Sequence, residues 1–184
     1  MLPGRGYHID LSEFSNAMKN SSPLTIAVES SNLEEVRELL QENYSDALLA
    51  VNLLIALKNG QRRISNLLFE KLKYNPDPVI KSLALKTNPL VANKESGIIL
   101  DRFIDLMSHN NVTPTFNNIR TSLYVLNHYT QEEVSRLFEY ALQKTHLTRN
   151  QYKELLGRIH DKKSPAYKTV EVYSKLSSKM EKLP

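Results

Sequence analysis

The chain has 184 residues, 24 Lys+Arg against 20 Asp+Glu for a formal net charge of +4, 41% hydrophobic and 24% charged residues. That is ordinary globular usage, which excludes a disordered tail or a fibrous repeat as the account of the whole chain. The absence of cysteine excludes a disulfide framework, thiolate zinc, iron–sulfur clusters and cysteine nucleophiles, while only five glycines and no tryptophan argue against Gly-rich phosphate loops and most β-rich architectures.

Helix punctuation recurs along the chain. Asp10, with Glu13 three residues on and the Ile9/Phe14 pair around it, reads as an N-cap with a hydrophobic staple. Ser22-Pro23, Asp77-Pro78, Thr113-Pro114 and Ser164-Pro165 each set a capping residue before a proline, whose missing N–H costs nothing at the first helical position. Thr130 with Glu133, and Thr148 with Gln151, spell capping boxes. Between these marks apolar residues recur at spacings of 3 and 4, with no sustained alternation. The pattern predicts helices over 11–19, 23–30, 33–42, 46–58, 61–73, 78–87, 95–108, 114–128, 131–144, 149–160 and 165–181. Many short helices with short links predict an all-α protein of antiparallel pairs. No window reaches the roughly 18 apolar residues of a membrane span, and the N-terminal residues lack the apolar core of a signal peptide.

An internal repeat is the most specific feature. The run Ser22-Pro23-Leu24-Thr25-Ile26-Ala27-Val28, followed by Val36-Arg37-Glu38-Leu39-Leu40, resembles the core of an ankyrin repeat, in which Thr-Pro-Leu-His opens the first helix and Val-x-x-Leu-Leu closes the second. Thr25 stands where the family prefers His, and Ser31 where it prefers Gly. A second copy lies 29 residues on in Leu53, Ala56 and Gly60, and 28 on in Ile64 and Leu67-Leu68, a third is marked by Ala84-Leu85-Lys86 with residues 89–96 inserted, and Glu132-Glu133-Val134 through Leu137-Phe138 repeats the spacing of Glu34-Glu35-Val36 through Leu39-Leu40. The glycine-bearing β-finger of the family is missing, so a degenerate ankyrin array and a generic solenoid of helix pairs both remain open. Three regions follow: an N-terminal segment and cap helix over 1–21, ankyrin-like repeats over 22–143, and basic helices over 144–184.

The resemblance implies a protein–protein interaction module that acts by binding, without catalysis, cofactor or metal, through the tips and exposed sides of its first helices. On this chain those positions are Glu29, Ser30, Lys58, Asn59, Lys86, Thr87, Asn127 and His128. Ankyrin-like chains with this Lys/Asn-rich bias are similar to effectors that intracellular bacteria deliver into host cells, which implies a host protein as partner and a cytoplasmic or host-delivered location. Ala27, Val36, Leu39, Leu40, Ala56, Ile64 and Leu68 read as scaffold.

Charge supplies the alternative. Residues 144–184 hold 10 basic and 4 acidic side chains, and Lys162, Lys163, Lys168 and Lys175, interleaved with Tyr152, Tyr167 and Tyr173, suit nucleic acid or another anionic surface. Against nucleic acid, Tyr173, Leu176, Met180 and Leu183 form an apolar stripe in the last helix, for which Val170, Tyr173 and Leu176 are the expected buried side. The histidines His8, His109, His128, His146 and His160 lack the spacing of a helical metal pair. His160-Asp161 is the one base–carboxylate adjacency. The carboxylate pairs Glu34-Glu35 and Glu132-Glu133 read as helix-start charges.

Overall fold

A computed structural model describes residues 10–19, 21–85, 96–123 and 129–182. The described residues are all-α: α1 Ser12–Lys19, α2 Pro23–Glu29, α3 Leu33–Leu39, α4 Asp46–Lys58, α5 Arg62–Lys71, α6 Asp77–Leu83, α7 Ser96–His109, α8 Phe116–Thr121, α9 Gln131–Lys144, α10 Arg149–Arg158 and α11 Pro165–Glu181. The chain divides into two compact units, Ile9–Val112 and a second containing Thr113–Pro184. The division falls after Val112 because α9, which the repeat offset groups with the earlier helices, packs on α11.

Capping explains most starts. The hydroxyls of Ser22, Ser45, Thr130, Thr148 and Ser164 each accept the N–H three residues on, and Asn32 does the same for Glu35. Thr130/Glu133 and Thr148/Gln151 form reciprocal capping boxes. A third box, Thr115 with Asn118, starts α8 two residues beyond the expected Thr113, since here both side chains close on the backbone of the other. α6 opens at Asp77 itself, without a side-chain cap.

The first unit is organised around α4. Its residues Ala47, Leu49, Ala50, Val51, Leu53, Leu54, Ala56 and Leu57 are all buried, so the helix is apolar on every side, as expected only of a helix enclosed by others. It packs against α1, α2, α5, α6 and α7. Pairing has an order: α2 packs on α3 and α4 on α5, while α2 also meets α4 and α3 meets α5. Phe69 of α5 and Phe103 of α7 meet edge to face at 6.0 Å, while α7 itself packs on α4. Of the expected scaffold, Ala27, Val36, Leu40, Ala56, Ile64 and Leu68 are buried, whereas Leu39 is only partly so.

Four turns in this unit share one hydrogen-bond pattern, the third with a second left-handed residue at Tyr74 (φ 57°). After α2, Ser31 N–H bonds the Val28 carbonyl and Asn32 N–H that of Ala27; after α4, Gly60 and Gln61 do the same with Leu57 and Ala56. Lys73 with Tyr74 and Asn111 with Val112 repeat it after α5 and α7. Each places a left-handed residue just past the helix, with φ of 57° at Ser31, 69° at Gly60, 57° at Lys73 and 53° at Asn111.

In the second unit α11 packs on α9 and α10. Ser135 and Thr169 hydroxyls meet at 2.6 Å between α9 and α11. Glu154 of α10 lies 3.7 Å from Arg120 of α8 and 3.5 Å from Arg158, and the Thr145 hydroxyl donates to the Pro114 carbonyl. Val134, Phe138, Leu155 and Val170 fill its core.

Candidate functional site

The helices α2 and α4 each end in a left-handed turn, at Ser31 and Gly60. α2 packs on α4. Glu29, Ser30 and Asn59 are exposed there and Lys58 is half-exposed. Four of the expected contact residues thus fall where α2 and α4 end. Lys86, Thr87, Asn127 and His128 lie outside the described residues.

Beside the turn after α4, between α5 and α7, a cleft of about 730 Å³ begins at Gly60. Gln61, Arg62, Ser65 and Asn66 line one wall; Arg102, Asp105, Ser108 and His109 line the other, with Leu57 and Leu106 beneath. Periodicity places these side chains: Arg62, Ser65 and Asn66 span one turn of α5, and Arg102, Asp105 and His109 recur every three or four residues along α7. Asn110 Nδ2 donates to Asn66 Oδ1 at 3.2 Å, linking the two walls.

Arg102 ties the cleft to the end of α4. One guanidinium nitrogen donates to the carbonyls of Leu57 (2.6 Å) and Lys58 (2.9 Å), two acceptors at the C-terminus of α4. The cation also sits at the negative end of the helix dipole. A Cβ added to Gly60 would come 3.7 Å from this guanidinium, so glycine is favoured at the turn for its positive φ and not for room.

The cleft is polar and offers more cations than anions: Arg62 and Arg102 against Asp105. Arg62, Asp105, Ser108 and His109 are exposed, and among the described residues no hydrogen bond or ion pair engages Asp105 or His109. Such a lining can donate to carboxylates and carbonyls of a ligand laid along it. Linear spacing missed this cleft because its walls come from residues 60–66 and 102–109, apposed only once α5 and α7 both pack on α4. Arg102, Asp105 and His109 at helical spacing were the one signal present.

The other candidate groups have local roles. Asp161 Oδ1 accepts from the Lys163 N–H in the turn before α11, so its carboxylate is occupied there beside His160. Glu35 accepts from Asn32 Nδ2 and Glu133 from the Thr130 N–H at helix starts. Among the described residues no group of three His, Asp or Glu side chains could hold a metal ion.

Lys162, Lys163, Lys168 and Lys175 are all exposed. On α11, Val170 is buried as expected, but Leu176 is 49% exposed, which corrects the expected inner face. The side of α11 that meets α9 and α10 runs through Ala166 and Val170. Among the described residues no helix is long and apolar enough to cross a membrane.

Comparison of the chain with protein-family models, curated proteins and solved structures returns no match.

Proposed function

We propose that the chain is a protein-binding module of ankyrin-like stacked helix pairs, acting by binding and not by catalysis. The observation that carries this reading is the pairwise order of α2/α3 and α4/α5, with α2 on α4 and α3 on α5, closed by identical left-handed turns at Ser31 and Gly60. Repeated hairpins of this kind hold an extended edge rigidly, so a partner loses little freedom of the module on binding. The gripping surface is Glu29, Ser30, Lys58 and Asn59, continued into the cleft at Arg62 and His109. A host protein of the cell an intracellular bacterium occupies remains the partner the resemblance implies.

The test is affinity capture by the full chain, with mass spectrometry of what is retained, compared with Glu29→Arg/Asn59→Arg and with Arg62→Glu. All three positions are exposed, so the variants should keep the native circular-dichroism spectrum. Specific retention by the native chain, lost in the edge variants, supports the reading. Retention unaffected by all three substitutions overturns the assigned surface.

A further inference from the structure

We infer that the C-terminal half of α11 docks into the headgroup layer of an anionic lipid bilayer. Ala166 and Val170 bury the first half of the helix, but from Glu171 to Lys182 no residue is buried. This half nevertheless carries Val172, Leu176 and Met180, 53%, 49% and 68% exposed. Successive positions four apart fall within about 80° on a helix turning 100° per residue, so the three make one continuous apolar row.

Charge decides what covers that row. Lys168, Lys175, Lys179 and Lys182 fall within about 60° of one another, directly beside the apolar row and opposite Ala166 and Val170. All four lysines are exposed. The only carboxylates on this helix are Glu171 and Glu181, and Glu171 lies 3.7 Å from Lys175. An apolar row flanked by lysines is the pattern of a helix lying in a membrane interface, where the lysine stems reach past the apolar side chains to place their ammonium groups among lipid phosphates. An antiparallel second copy is disfavoured, because it sets lysines against lysines. A nucleic acid would satisfy the lysines but leave Val172, Leu176 and Met180 in water. An anionic bilayer satisfies both rows together. This inference rests on α11 and is independent of the turn edge and the cleft.

The experiment is co-sedimentation of the full chain with phosphatidylcholine vesicles, alone and with about one third phosphatidylserine, at low and high salt. The expected result is binding only to the serine-lipid vesicles, weakened by salt. Lys175→Gln/Lys179→Gln should lower partitioning about 25-fold, at about fivefold per lysine. Leu176→Ser/Met180→Ser should abolish it with every lysine in place. These side chains are exposed, so the variants fold. Equal binding to both vesicles, binding to neither, or binding unchanged in either variant overturns the inference. So does retention on duplex DNA instead of vesicles, undiminished by Leu176→Ser/Met180→Ser, or a dimer in light scattering that this double variant dissolves.

Discussion

Ser31 and Gly60, 29 residues apart, occupy the same left-handed position past the ends of α2 and α4, at φ 57° and 69°, and each donates its N–H to the carbonyl three residues back. One is a residue with a Cβ and the other is not, so equal geometry implies unequal strain. A left-handed conformation costs a residue bearing a Cβ about 1–2 kcal/mol, part of which glycine gives back through the greater freedom of its unfolded chain.

The two sites therefore respond in opposite directions. Ser31→Gly should stabilise the first unit by about 0.5–1 kcal/mol and Gly60→Ser should destabilise it by a similar amount. Urea midpoints at constant slope measure both; a destabilising Ser31→Gly would show that the shared turn geometry is not held in solution.

Arg102 should matter to stability as well as to the cleft. Arg102→Ala removes both donors to the Leu57 and Lys58 carbonyls and should cost about 1–3 kcal/mol, with Arg102→Lys recovering part of it. Denaturant unfolding of the two variants against the native chain reads the difference. Equal midpoints for Arg102→Ala and the native chain would leave the contact without energetic weight.

Tyr129 is buried and its hydroxyl finds no hydrogen-bond partner among the described residues. Burial, and secondarily the nearby Glu133 carboxylate, push its ionisation well above the usual tyrosine value of 10. Burial raises Tyr140 and Tyr152 as well. The unfolded chain then releases these protons first as pH rises. Stability is intact below about pH 10 and falls above it, toward the raised values of the folded state. Tyr129→Phe should be neutral or stabilising by about 1 kcal/mol at neutral pH, since an unbonded hydroxyl is removed, and should flatten part of the alkaline decline. Denaturant midpoints from neutral pH to above pH 10 test both; an unchanged alkaline slope in Tyr129→Phe would place the effect elsewhere.

The second unit offers a contrast between inner and outer leucines. Leu155→Ala removes a fully buried side chain and should cost about 2–5 kcal/mol. Leu176→Ala, on the exposed row, should stay within about 0.5 kcal/mol. Thermal unfolding followed by circular dichroism distinguishes them, and a large loss at Leu176 would mean that the row is covered within the molecule.

These contrasts mark what the residues disclosed. Helix starts were legible where a hydroxyl preceded a proline or stood three residues before Glu or Gln, as at Ser22, Thr130, Thr148 and Ser164. Thr113 misled because Thr115, two residues on, had the better partner in Asn118. The inner side of α11 was not legible because the helix carries apolar residues on two sides, Ala166/Val170 and Val172/Leu176/Met180, and periodicity does not say which one a neighbour covers. The cleft was hidden for another reason: its walls lie some forty positions apart along the chain, and only packing unites them.

A row of identical hairpins usually melts from its ends, because each touches only its neighbours. α4 breaks that rule. Touching α1, α2, α5, α6 and α7 alike, it ties the outermost helices of the first unit to a single axle, so loosening one loosens them all. Excising any one hairpin should therefore abolish folding of this unit instead of shortening it.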